Sequence, residues 1–172
     1  GMPFPGAKFN CYVDSMRSPF IIRWPGRVKP GSIDTGHMVT TLDLMPTILE
    51  IAGLPAPQSD GRSFMPLLLG KKQADRDAVF TQFFHIHGRD ALPMRSVLTR
   101  EAAYVFNPWS TGERRFDRLS GESFSAMQQA AKTDPRMAAR VRHLELRTVE
   151  EFFDLRSDPG CLKNLLGTDA AG

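Results

Sequence analysis

The chain has 172 residues, with 22 basic against 19 acidic side chains and a formal net charge of +3. That length can bury one real core. So mixed a charge gives no footprint for nucleic acid, and no apolar run approaches the roughly 20 residues of a membrane span, so neither partner is expected.

Two prolines and a glycine before Lys8 make the first residues an irregular loop. Read alone, Lys8 is a solvated surface lysine. Cys11 and Cys161 stand far apart without metal-site spacing; free or buried thiols are favoured over a disulfide. Arg17-Ser18-Pro19-Phe20-Ile21-Ile22-Arg23-Trp24-Pro25-Gly26 reads as a short strand over 20–24, bounded by Pro19 and a Pro-Gly turn. A basic, Gly/Pro-punctuated connection follows, in which His37 reads as a surface histidine. Leu42, Met45, Leu49 and Ala52 then recur at helical spacing, and Leu44, Ile48 and Ile51 widen the apolar face. Thr41 or Asp43 could be the N-cap, Pro46 falls in the first turn, and Gly53 is a natural left-handed C-cap before Pro55. A short helix over 63–70 is expected from its Ser63 cap and Gly70 stop, with its leucines in the core.

Composition shifts after residue 71. A polar linker over 71–77 leads to short apolar strands over 78–84, 94–98, 103–106 and 151–155, with 99–102 as a hairpin connection. Phe124, Met127 and Ala131 mark one helix. Asp134 and Pro135, as N-cap and first helical residue, open another through Met137, Val141 and Leu144. This second segment carries Arg136, Arg140, Arg142, His143 and Arg147, read either as a hold on an acidic polysaccharide or as a solvated face. The strand end after Phe84 carries His85 and His87, with Arg95 further on. An extended His-x-His pair points both imidazoles one way, but no third metal ligand accompanies it.

Several of these segments carry a specific wording. The Arg-x-Pro to Trp-Pro-Gly stretch, the Asp43-Leu44-Met45-Pro46-Thr47 helix start, Asp60-Gly61-Arg62-Ser63 and the closing Phe153-Asp154-Leu155 with Asp158-Pro159 and Asn164-Leu165 resemble the late part of the sulfatase family, of the alkaline-phosphatase-like superfamily. Pro93-Met94-Arg95-Ser96-Val97 after a His-bearing strand end is most similar to its N-sulfoglucosamine sulfohydrolase (heparan N-sulfatase) branch. The departures are Ser15, where glycine is usual, and Cys161, where glutamate is usual.

The resemblance implies an α/β fold: residues 1–70 as the last segment of the catalytic domain and 71–172 as a C-terminal subdomain, a small antiparallel sheet plus helices. It puts Lys8 at the position of the lysine that contacts the substrate sulfate, with Tyr12 at the family's tyrosine, and His85, His87 and Arg95 on the sugar side. A compact cation suits a sulfate oxygen. Calcium and formylglycine are implied for the complete enzyme. Neither cysteine begins a Cys-x-Pro-x-Arg segment, so no nucleophile and no metal set is expected in this chain. The implied function is the C-terminal portion of a sulfuric ester or sulfamate hydrolase acting on a sulfated, N-sulfoglucosamine-like sugar, inert until completed by a missing N-terminal half. The alternative is a free-standing, non-catalytic module for anionic-sugar binding or assembly. Uncovered apolar surface around 20–24 would favour homo-oligomers.

Overall fold

The computed structural model describes residues 4–86, 88–117 and 119–166. In chain order the elements are α1 (Val13–Met16), α2 (Leu44–Ile51), α3 (Met65–Leu68), β1 (Ala78–Phe83), β2 (Met94–Thr99), β3 (Ala102–Phe106), α4 (Glu122–Ala130), α5 (Pro135–Glu145) and β4 (Glu150–Asp154), with a 3-10 turn, Thr41–Asp43, leading into α2. They divide into one unit of residues 1–18 with 80–172 and a second of 19–79. No described helix is long and apolar enough to cross a membrane.

The first unit is built on one sheet in the order β1-β2-β3-β4. Antiparallel pairing sets Ser96 opposite Val105 and Leu98 opposite Ala103, then Val105 opposite Glu151 and Ala103 opposite Phe153. Burial alternates along each strand, as a sheet with one covered face requires. The covered face carries Met94, Ser96 and Leu98, Ala103 and Val105, and Glu151 and Phe153. At the expected hairpin, Thr99 Oγ1 accepts from the Ala102 and Glu101 amides at 2.9 and 3.2 Å. A second cluster, Phe124, Val141 and Leu144, joins α4 to α5. Asp134 caps α5 by accepting from the amides of Arg136 and Met137 at 2.8 and 3.3 Å, with Pro135 just inside.

The closing segment is held by side chains that mimic backbone. Asn164 Oδ1 accepts from Phe152 N at 2.9 Å, and Leu165 N donates to Phe152 O at 2.8 Å, so the tail is tied to β4. Asp158 Oδ2 takes the amides of Leu162 and Lys163 at 2.7 and 2.8 Å. Between them Cys161 adopts a φ of 50°, where a glutamate would meet the same left-handed strain. Both cysteines are free and buried.

The second unit has its C-caps where the sequence puts them, but the N-cap ahead of α2 is Thr40, in a capping box with Asp43, and not Thr41 or Asp43. Gly53 (φ +70°) and Gly70 (φ +72°) each close a helix. The amides of Gly53 and Leu54 return to the carbonyls of Glu50 and Leu49, and those of Gly70 and Lys71 to Leu67 and Pro66. Ser63 Oγ accepts from Met65 N at 3.1 Å. Three further expectations differ. Residues 20–24 form no strand, since nothing pairs with them; the Trp24 carbonyl instead accepts from Arg27 and Val28. The α3 leucines are half-buried or exposed, and Phe64 alone goes fully inside.

The third difference is Asp43, which is more than a partner in that capping box. Its carboxylate is buried and accepts from Thr40 N at 2.9 Å, Arg62 N at 2.8 Å and the Arg76 guanidinium at 2.5 Å. Arg76 also donates to the carbonyls of Arg62 and Ser63. Thr47 Oγ1 donates to Asp43 O at 2.6 Å and accepts from Phe64 N at 3.0 Å. Gly61 passes so close to the 3-10 turn ahead of α2 that a Cβ would overlap the Leu42 carbonyl oxygen. Removing one partner of a buried ion pair strands the other charge. Asp43→Ala is therefore expected to cost about 3–5 kcal/mol, and Gly61→Ala about 2 kcal/mol or more. Gly53→Ala, facing open space but strained at positive φ, is expected to cost about 1 kcal/mol. Urea unfolding followed by Trp24 fluorescence in a Trp109→Phe background ranks the three.

Candidate functional site

Lys8 lies on a loop that its neighbour Asn10 holds in place. Asn10 is buried to 1% exposure; its Nδ2 donates to the carbonyls of Gly6 at 2.9 Å and Lys8 at 2.8 Å, and its Oδ1 accepts from Tyr12 N at 2.9 Å. Gly6 (φ 81°) and Phe9 (φ 61°) both take left-handed backbone to make the reversal. Phe9 is non-glycine, so the clamp holds a conformation its side chain disfavours. Lys8 is thereby presented to solvent from a fixed turn.

What anchors this turn lies two residues on. Tyr12 is buried and its hydroxyl donates to Glu151 Oε2 on the covered face of the sheet. Asn107 Nδ2 bridges the pair, donating to the Tyr12 hydroxyl and to Glu151 Oε2 at 3.1 Å each. The Arg147 guanidinium lies 3.7 Å from Glu151 Oε1 and stacks 4.0 Å over the Tyr12 ring. Burial, helped by the charge of Glu151 and opposed by that of Arg147, pushes the Tyr12 phenol well above its ordinary pKa, so it stays a donor. Arg147, read from sequence with the basic residues of the α5 segment, is thus a core cation, whereas Arg136 and Arg142 are exposed.

The strand-end candidates are set around β1. Phe9 packs on Phe83 with ring centroids 6.4 Å apart, and Thr81 bonds Ser96 across the covered face at 2.7 Å. Phe84 alternates to the other face, where the Arg95 guanidinium stacks 5.5 Å over its ring. Arg95 and His85 are both exposed, and His87 lies outside the described residues. Leu92 N donates to Phe84 O at 2.8 Å and closes the intervening loop at its base. That loop and the Lys8 turn meet at a cavity of about 190 Å³ lined by Phe9, Ile86, Arg89, Asp117 and Ser120. The structure thus brings Lys8's neighbour Phe9 to the β1–β2 loop. Arg95 stands on the sheet's other face.

Sequence reasoning passed over Asn10 and Arg89. Arg89 donates to Asp117 O at 3.4 Å beside the cavity. An Asn two residues after the candidate lysine, in a Gly/Pro loop, is the usual signal of a side chain replacing backbone bonds; Arg89 carried no such signal.

The arrangement can present cations to an anion. Neither cysteine is an activated nucleophile: burial raises the pKa of the Cys11 thiol, and that of Cys161 to about 11. Among the described residues, no three His, Cys, Asp or Glu side chains are grouped to hold a metal ion. These residues do not fit a calcium site.

Residues 7–105 match the family described as N-sulphoglucosamine sulphohydrolase, C-terminal. The chain is 28% identical to the ulvan-active sulfatase of Formosa agariphila over 88% of its own length and 29% of that protein. It is likewise 28% identical to human arylsulfatase A, over 93% of its length and 28% of the relative. The chain therefore spans less than a third of these curated relatives. Among solved structures it is similar to that of BT4656 in complex with its substrate D-glucosamine-2-N,6-O-disulfate, with a TM-score of 0.50 and 18% identity, over 86% of this chain and 24% of that one. It is also similar to a putative sulfatase from Bacteroides thetaiotaomicron, with a TM-score of 0.47 and 24% identity, over 76% and 21%.

The Glu151 network carries a pH dependence through His143. Burial, then the charges of Arg147 and Arg140, lower its pKa from 6.5 to about 4. His143 Nε2 lies 3.0 Å from the Arg147 guanidinium and 3.2 Å from the Cys161 carbonyl oxygen, and protonating the ring would set two cations together. The folded-state pKa is depressed, so the full stability is present above about pH 6.5 and is lost as pH falls towards 4. The expected loss near pH 5 is about 2 kcal/mol. Thermal unfolding against pH should show it, and His143→Gln should flatten that slope.

Proposed function

We propose, since the chain belongs to the N-sulphoglucosamine sulphohydrolase C-terminal family, that it forms the substrate-side portion of a sulfuric ester or sulfamate hydrolase acting on a sulfated, N-sulfoglucosamine-like sugar. The observation that carries the reading is the exposed Lys8, held by the Asn10 clamp within the matched segment and next to the cavity that Arg89 lines. A fixed ammonium is suited to a sulfate oxygen, since it stabilises negative charge without giving up its proton. His85 and His87 are assigned to the sugar side; Arg95, the third residue of that assignment, stacks on Phe84 on the sheet's other face, away from the cavity.

The residues that would attack sulfur and hold calcium are assigned to the polypeptide ahead of this chain. Groups that act as a unit lose nearly all rate when the nucleophile is missing. Residues 1–172 alone are therefore expected to release no sulfate from an N-sulfated glucosamine, with calcium present, while still binding it weakly.

Amide NMR during titration with D-glucosamine-2-N,6-O-disulfate tests the binding half. Shifts are expected at Lys8, Phe9 and Arg89, none with unsulfated glucosamine, and Lys8→Ala should weaken binding about tenfold. Equal response to both sugars, or sulfate release that survives purification and disappears in Lys8→Ala, would overturn the reading.

A further inference from the structure

Gly6, in the turn that presents Lys8, also borders a second cavity, of about 20 Å³, whose lining includes Asp14, Arg140, Leu144, Arg147 and Cys161. Two guanidinium groups thus border a space with room for one water-sized particle. The Arg147 side chain is 5% exposed, yet its donors are poorly matched. Among the described residues its one side-chain hydrogen-bond contact is His143 Nε2 at 3.0 Å, a nitrogen shared with the Cys161 carbonyl at 3.2 Å. Glu151 Oε1 stays 3.7 Å away, and the buried Arg147 Nε has no partner. A donor held out of water without an acceptor is costly, and it asks for one.

Arg140 has the complementary deficit. It is half-buried on α5 and, among the described residues, makes no hydrogen bond and no ion pair. Burial, then the charge of Arg147, lowers its pKa. The carboxylates that oppose this act without touching it: Asp14 is exposed, and Asp158 takes the amides of Leu162 and Lys163. We propose that this cavity binds one halide ion, chloride in ordinary media, between the guanidinium groups of Arg140 and Arg147. A water molecule could satisfy Arg147 Nε, but two like charges would still share one small cavity. A halide accepts from both and offsets their repulsion. Asp14, also in the lining, is screened by the water it is exposed to. Room for a single particle excludes sulfate, phosphate and any sugar substituent of that size. The ion ties the Lys8 turn, through Gly6, to α5 and to the Cys161 segment.

Thermal unfolding of residues 1–172 in sodium acetate, with chloride or bromide replacing acetate at constant ionic strength, tests the site. A dissociation constant of about 10 mM raises the folded-to-unfolded ratio about tenfold at about 100 mM halide. Arg140→Gln removes one cation without touching the Glu151 network, so it should abolish the halide response and leave the circular dichroism spectrum unchanged. Arg136→Gln, exposed on the same helix, should keep the response. Crystals grown in bromide should show an anomalous peak in the cavity, in contact with Arg147 Nε. Equal stability in acetate and halide overturns the proposal. So does a halide response that persists in Arg140→Gln, or a bromide crystal without that peak. None of these outcomes bears on the sugar reading, because Lys8 and Arg89 lie outside the lining.

Discussion

The carboxylate of Glu151 is the point on which the first unit depends. It sits on the covered face of β4 at 2% exposure, and an anion there is tolerable only if its oxygens are fully engaged. Tyr12, Asn107 and Arg147 engage them, and these three come from the N-terminal turn, the end of β3 and the stretch after α5. The Tyr12 bond alone joins residues 139 positions apart. Apolar packing could bring these segments together but would allow them to slide. A buried, directional network fixes where each one stops. Because Asn10 ties Tyr12 N to the Lys8 carbonyl, that fixed position passes directly to the turn presenting Lys8.

The second unit uses the same device in place of a core. Asp43 gathers three donors, Arg76 spreads over two carbonyls, and Thr47 relays between α2 and Phe64. The motif residues Asp43, Thr47, Gly61 and Arg62 are thereby explained as the parts of one polar knot. Arg62 completes it by donating to the carbonyls of Ala74 and Asp75 at 2.6 and 2.9 Å. Even His37 has a structural duty, with Nδ1 2.9 Å from Asp34 and Nε2 accepting from Gln73 N at 3.4 Å.

What was legible in the sequence follows from the range of the forces involved. Caps and turns are local, so Gly53, Gly70, Ser63 and the Asp134-Pro135 start could be placed from their neighbours. Strand alternation found the four strands of the sheet, because one face is covered. Periodicity found the α2 stripe but could not say which side of the helix would be inside; that is decided by Arg76, thirty-three residues away. The same limit misplaced 20–24, since a strand exists only with a partner, and it grouped Arg147 with its exposed neighbours. At the candidate site Lys8 was legible only through wording, and Arg89 was not, because a loop cation becomes a site residue only when the loop's closure is known.

On the proposed reading, binding and chemistry fall on different parts of one polypeptide, and the physical demands of each explain why they can be separated. Holding a sulfate needs cations fixed in place, and the chain supplies the means itself: a turn locked by Asn10 and a loop closed at Phe84 and Leu92. Such a half-site is preorganised without any partner, because every bond that shapes it lies within residues 4–18 and 80–166. Attack on sulfur demands a nucleophile and charge withdrawal at the same atom, and neither can be approximated by more cations. Neither buried thiol can stand in, because a pKa held up by burial leaves almost no thiolate at neutral pH. On that reading, rate would belong to whatever brings those groups within reach of Lys8, and affinity for the anion to the turn.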